Sequence, residues 1–345
     1  MRSSLRHNTL LILGDSMKSF RTDFALPRDP FLERERPILT LGSCFAEHIG
    51  QKLLDFKWQG LNAPFGTLFH PLALSRLLRL AEAEAALDEG LFVEHDGAVF
   101  HHDLHSRFYA GDTATLQMKW RDLASQVRRI LSLSPCVLLT LGTAWVYERK
   151  KDGQIVANCH KQPADHFHKR LLTREEIQGA LEDVLNVLPS ASPLIVSLSP
   201  VRHTRDTMTG NALSKSLLLV AIHEFRVQHA DRVRYFPAYE IMLDDLRDYR
   251  FYEADMIHPS AEAVDYIWEK FTGAYASDTA RTFISRWQSI RNTLQHRPLR
   301  EEAPSYQKHL QTVLQMLNSF GDLDCSLEKK ELRARLQLQA GGFLP

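Results

Sequence analysis

Ile38-Leu39-Thr40-Leu41-Gly42-Ser43-Cys44-Phe45-Ala46-Glu47 decides the fold. Four residues that read as a buried strand break at Gly-Ser, and the chain passes straight into a helical pattern. A serine at that junction lies at the carboxyl end of a strand and the amino end of a helix. Free backbone N–H groups and the helix dipole there favour developing negative charge. The ordinary role for Ser43 is an N-cap of the helix over Phe45–Phe56, which needs only a hydroxyl near an early amide.

Three further apolar runs read as buried strands, Val137–Leu141, Leu194–Leu198 and Val233–Phe236, each followed by Gly, Pro or Ser. Helical patterns lie between and around them at Leu72–Ala86, Trp120–Leu131, Thr173–Leu188 and Asn211–His229. The third of these opens with Thr173 and Glu176 in capping-box spacing. Strand and helix alternate, which predicts an α/β class with a largely parallel sheet. Residues 1–30 read as an irregular arm that does not pack tightly. Residues 31–276 form the α/β domain, with 60–110 an insertion that caps the site, and 277–345 are a helical extension and tail. That extension offers a surface for homo-oligomers, its ordinary alternative being to pack back on the sheet.

Lys and Arg number 42 and Asp and Glu 42, with no basic block. Nothing points to a nucleic-acid or membrane-surface partner, and a small uncharged substrate is compatible. Four scattered cysteines, at 44, 136, 159 and 325, lack zinc or disulfide spacing and suit a reducing compartment, so cytoplasm is the expected location. The run Leu10–Leu13 is too short for a signal-peptide core, and Leu217–Ile222 is far below the roughly 20 residues of a spanning helix, so no membrane insertion is expected. No coenzyme-binding or acyl-carrier signature is evident, and no cofactor is expected.

Downstream, Asp255-Met256-Ile257-His258-Pro259 supplies a carboxylate and an imidazole three residues apart. With Ser43 they read as a catalytic set: Ser43 Oγ attacks an acyl carbonyl, His258 takes its proton, and Asp255 holds the imidazole tautomer. Alone, Asp-x-x-His is an ordinary surface turn before a helix that starts at Pro259. Gly14-Asp15-Ser16 spells a second serine block but lacks a following amphipathic helix, and Ser16 is set aside.

Gly42-Ser43-Cys44-Phe45-Ala46 resembles, without substitution, the motif that names the bacterial GSCFA family. Asn62-Ala63-Pro64-Phe65-Gly66-Thr67, Leu141-Gly142-Thr143-Ala144-Trp145-Val146-Tyr147, Cys159-His160-Lys161-Gln162-Pro163, Ser199-Pro200-Val201-Arg202-His203 and Asp255–Pro259 look like the same family, which together covers about 35–275. The resemblance places the chain beside the SGNH, or GDSL-like, hydrolases. It implies a flavodoxin-like three-layer α/β/α fold and ester chemistry, hydrolytic or acyl-transferring, on a small molecule or glycan. A binding protein that keeps the fold without turnover is the alternative.

An acyl intermediate also needs oxyanion donors. The Ser43 amide is one expected donor and Gly66 a second, the latter with a tight turn as its ordinary explanation. SGNH enzymes offer an asparagine after the third strand, whereas this chain has Gly142-Thr143; Thr143 hydroxyl, its amide, or Asn62 are the alternatives. His101-His102-Asp103-Leu104-His105 reads as a polar wall of the cleft or a solvated edge strand rather than a metal site, with His105 near the pocket. Arg202 and His203 follow a strand end, where they hold a substrate carboxylate or phosphate or simply face solvent. Cys44 and Cys159 read as packed thiols. Trp145 and Tyr147 are candidates to stack on a sugar ring, core packing being the ordinary role for at least one of them.

Overall fold

The computed structural model describes residues 24–337 apart from Glu301 and Asp322. The Gly14–Ser16 block and most of the expected arm lie outside the described residues. In chain order the principal elements begin with β1 (Ile38–Gly42), α1 (Cys44–Asp55), β2 (Gly60–Thr67), α2 (Pro71–Glu82), β3 (Phe92–His95), β4 (Ala98–His101) and α3 (Thr113–Ser132). Next come β5 (Cys136–Leu141), β6 (Trp145–Arg149), β7 (Ile155–Val156), β8 (Phe167–Leu171), α4 (Arg174–Val187), β9 (Leu194–Leu198), α5 (Thr207–Gln228) and β10 (Val233–Phe236). A short α6 (Ala238–Glu240) leads to α7 (Ala261–Tyr275), α8 (Asp278–Gln295), α9 (Pro304–Asn318) and α10 (Ser326–Gln337).

β10, β9, β5, β1 and β2 form one sheet in that order, all parallel. Counted along the chain this is the 2-1-3-4-5 order of flavodoxin-like folds, whose strand order reverses between β1 and β5. Period-two alternation puts Leu39, Leu41, Val137, Leu139, Leu194 and Val196 in a core with α2–α5. Ile38, Cys136, Leu138 and Ile195 point to the other face, into a core with α1 and α7–α10. Both faces are thus covered, and the three-layer α/β/α architecture follows.

The segment 60–110 is not a cap insertion. Gly60–Thr67 is the edge strand of the main sheet, and α2 packs into its core. The cause is a bulge that sequence periodicity does not show: β1 advances from Thr40 to Gly42 while β2 advances from Asn62 to Thr67. Thr40 organises it from a fully buried position. Its hydroxyl donates to Asn62 Oδ1 at 2.7 Å and accepts from the Ala63 amide at 3.0 Å, while Asn62 Nδ2 donates to the Glu47 carbonyl at 3.0 Å. One amide side chain therefore ties β1, α1 and β2 together. Between β5 and α4 lies a small antiparallel sheet of β7, β6 and β8, whose Trp145, Tyr147 and Val156 face the strand-end cleft along with Phe69 and His70.

Two other expectations are corrected. Residues 24–32 do pack: the Asp29 amide donates to Ala274 O, Lys270 donates to Phe24 O, and Leu32 is fully buried beside Ala276. His101–His105 is neither a cleft wall nor a solvated edge, since His101, His102 and Asp103 are buried. They wedge β4 against the small sheet: His102 accepts, through its carbonyl, the amides of Ala157 and Asn158, and Asp103 pairs with Arg76 at 2.7 Å. The C-terminal helices fold back on the domain, with Trp287 Nε1 donating to Asp55 O and Leu310, Val313, Leu317 and Leu332 in the second core. Among the described residues no helix is long and apolar enough to cross a membrane.

Two predictions arise here. Thr40→Val keeps the shape but orphans Asn62 Oδ1 and the Ala63 amide, and should lower the unfolding free energy by about 2–4 kcal/mol in urea titrations. Burial pushes the imidazoles of His70, His101 and His160 each down to about 4. In the unfolded chain they titrate near 6.5, so below that pH the unfolded state takes up protons that the folded state refuses. Stability should be full above pH 6.5 and be lost progressively toward pH 4. Between pH 7 and 5 the loss should be roughly 1 kcal/mol or more per histidine, read as a falling urea midpoint.

Candidate active site

Gly42 ends β1 at φ +125°, and a Cβ there would lie 2.0 Å from the Thr140 carbonyl oxygen. Only glycine lets β1 run this close to β5 and still turn into α1. The next amide, Ser43 N–H, donates to Thr140 O at 3.0 Å, so the expected oxyanion donor is spent on the β1–β5 ladder. Ser43 stands at the N-cap position but makes no capping bond. The residue is 1% exposed and its hydroxyl has no partner. Leaving a buried hydroxyl unpaired costs about 1–3 kcal/mol, so the cap role does not account for it.

The second component is the loop before α7. Asp255 Oδ2 accepts from His258 Nδ1 at 2.7 Å, while Asp255 Oδ1 accepts the amides of Ile257 and His258 at 2.8 and 3.0 Å. The His258 amide, its ring and the Ile257 amide together hold the Asp255 carboxyl down at about 2. With Nδ1 donating to the carboxylate, Nε2 is left as the acceptor. Met256 at φ +58° closes this turn, and the Arg202 amide donates to Ile257 O, fastening it to the segment after β9. No hydrogen bond joins Ser43 Oγ to His258 in this structure.

A cleft of about 440 Å³ opens over the strand ends. Cys44, His258, Thr143 and residues 201–206 reach it from the main domain, and Trp145, Tyr147 and Val156 reach it from the small sheet. Lys169 lies over the Trp145 ring at 5.0 Å and pairs with Asp206. Arg202 stacks on Tyr252 at 4.0 Å. His203 packs edge-on against Phe69, its amide bonded to Asn211 Oδ1 at 2.9 Å, and its Nε2 is buried without a partner. Burial, with the nearby Lys215 charge, pushes its imidazole down to about 3. Lys215 is itself buried, donates to Ser199 O at 2.7 Å, and is pushed by burial down to about 7.

The expected donors fare differently. Thr143 lines the cleft with Gly142 just before it, but both amides donate to Phe69 O, at 3.0 and 2.7 Å respectively. Thr143 Oγ1 shares a hydrogen with Ser214 Oγ and accepts the Trp145 amide. Asn62 is consumed in the bulge described above. Gly66, at φ +78°, has no room for a side chain because a Cβ would meet His105 Cβ at 2.5 Å. His105 accepts the Arg107 amide, and neither it nor Gly66 lines the cleft. Burial raises the Cys44 thiol, against a thiolate nucleophile, and raises Cys159 to about 11.

Sequence reasoning missed His70, which lines the cleft, caps α2 by accepting the Ala73 amide at Nδ1, and contacts Val156 O through Nε2. His70-Pro71 before a helical pattern was the available signal, because Pro at a first helical position marks the preceding residue as the cap. Lys215 carried none, lying among the helical residues of α5.

A solved structure described as a carbohydrate esterase family 3 from Talaromyces cellulolyticus aligns at 10% identity over 73% of this chain and 98% of its own, with a TM-score of 0.33. That likeness is too distant to bear on chemistry. Comparison with curated proteins gives no match. Residues 287–338 match the GSCFA domain protein, C-terminal domain. Residues 37–271, which hold the Ser43 junction, the small sheet and the Asp255–His258 loop, match the GSCFA family, and the chain belongs to that family.

Proposed function

We propose that the protein is a serine-dependent ester hydrolase or O-acyltransferase acting on an acylated small molecule or glycan. The observation that carries this reading is a buried Ser43 hydroxyl that neither caps α1 nor has a partner, next in the chain to Cys44, which lines the same strand-end cleft as the carboxylate-held His258. In the reaction Ser43 Oγ bonds to the acyl carbon as its proton passes to His258 Nε2. Asp255 stabilises the resulting imidazolium, which then protonates the departing alkoxide. Water or an acceptor hydroxyl next meets the acyl-enzyme, and the two outcomes share everything up to that point. Because Ser43 Oγ has no bond to His258 here, the reacting state requires that side chain to turn toward Nε2, as catalytic contacts often tighten only with substrate. Trp145 and Tyr147 offer ring faces suited to a sugar.

A specific observation favours a second reading, a silent binding protein with this fold: the amides of Ser43, Gly142 and Thr143 are all engaged, leaving none of them for an oxyanion. A fluorophosphonate separates the two. Adduct at Ser43 by intact mass and peptide mapping, absent in Ser43→Ala and strongly slowed in His258→Ala, is the expected result. No adduct on wild-type protein with an intact melting transition would favour the binding protein. If ester turnover is found, Asp255→Asn should lower kcat by about 10²–10⁴-fold with little change in KM, because the imidazole loses its tautomer and its counter-charge.

A further inference from the structure

We infer that His203 is a catalytic residue of this site, its Nε2–H donating to the oxyanion that forms when Ser43 attacks an acyl carbon. The inference rests on the esterase or acyltransferase reading above and supplies what that reading lacks. The expected donors are committed elsewhere or lie off the cleft: Ser43 N–H donates to Thr140 O, the Gly142 and Thr143 amides to Phe69 O and Asn62 Nδ2 to Glu47 O, while Gly66 does not line the cleft. The first-turn amide of Cys44 has no intrahelical acceptor, but one amide makes an incomplete hole.

His203 Nε2 is the buried polar atom of the cleft segment after β9 that has no partner. Its place is fixed relative to the nucleophile by the sheet. Gly42 faces Thr140 in the β1–β5 register, so Ser43 and Gly142 stand at neighbouring strand ends. A Cβ on Gly142 would come within 3.1 Å of His203 Nε2. Glycine at 142 therefore leaves no side chain between that nitrogen and the end of β5, but Phe69 crowds the same point at 3.1 Å, so a carbonyl oxygen reaches the nitrogen from the cleft that His203 lines only as the Phe69 and His203 side chains give way. The backbone at His203 is held by the Asn211 contact to its amide and by Lys215 anchoring Ser199 four residues earlier, and the ring packs edge-on against Phe69.

The two imidazoles then divide the work by their partners. His258 has a carboxylate on Nδ1 and accepts a proton. His203 has no carboxylate partner and is kept neutral by burial, which suits a ring that donates a hydrogen bond without releasing or gaining a proton. In the step itself, the Oγ–C bond forms, the carbonyl π pair moves to oxygen, the serine proton goes to His258, and the oxyanion is held by His203 Nε2–H. Collapse restores the carbonyl and expels the alkoxide, which takes the proton from His258. The His203 proton never leaves its nitrogen.

The test measures acylation of the full-length protein by p-nitrophenyl acetate and by a fluorophosphonate, in wild type, His203→Ala and His203→Asn. Wild-type adduct at Ser43, acylation slowed about 10²–10³-fold in His203→Ala, and recovery of most of that loss by the amide donor in His203→Asn are expected. Equal rates in wild type and His203→Ala would overturn the inference and leave the serine reading standing. No wild-type adduct would sink both, so the two failures are distinguishable. Should the variants not fold, long-range ¹H–¹⁵N spectra of the phosphonylated wild type decide. An Nε2–H tautomer whose proton moves downfield on adduct formation is expected, and an Nδ1–H tautomer overturns the inference.

Discussion

The rest of the site depends on how closely β1 approaches β5. Parallel pairing carries the two strands side by side to Gly42 and Thr140, and the last bond of that ladder runs from the Ser43 amide to the Thr140 carbonyl. That bond fixes where the serine stands, at the point where strand order reverses and a cleft must open because neighbouring connections leave to opposite faces. It has a consequence for chemistry. An amide that holds Ser43 in register is not available to stabilise an oxyanion of the proposed reaction.

The same trade recurs around the cleft. Gly142 and Thr143 close the end of β5 by donating to Phe69 O, which draws the chain after β2 across the sheet. Asn62 gives both ends of its amide to the bulge in β2. Each polar group is satisfied at about 1 kcal/mol net, but leaving any of them buried and unpaired would cost more, so these atoms serve the fold. Against that background Ser43 Oγ and His203 Nε2 stand apart as polar atoms of the site region that structure does not use.

Electrostatics separates histidines that composition cannot. His70, His101 and His160 are buried, bonded to backbone carbonyls and kept neutral, and they serve packing and capping. His258 is more open and carries a carboxylate on Nδ1. His203 has burial without a carboxylate, next to a lysine whose own charge is weakened by the same burial. Environment, not residue type, assigns these roles.

The sequence by itself determined the class of fold, four of the five parallel strands (all but β2), and the placing of Ser43 at a strand–helix junction and of Asp255–His258 in a turn. These are local properties: unbroken apolar runs, helical periodicity and a turn whose carboxylate reaches an imidazole three residues on. It also bounded most helices, though α3 begins at Thr113 rather than near Trp120 because its first turns are polar and announced only by the Asp112 cap. Tertiary structure alone decided that β2 joins the sheet through a bulge, that β6 and β7 line the cleft together with Phe69 and His70, and that His101–Asp103 is buried. It alone decided which of the expected donors were already engaged. Those outcomes are set by which distant chain segment reaches a given N–H or carbonyl first, and the pairing of Ser43 with Thr140 or Gly142 with Phe69 has no signature in the residues on either side of it.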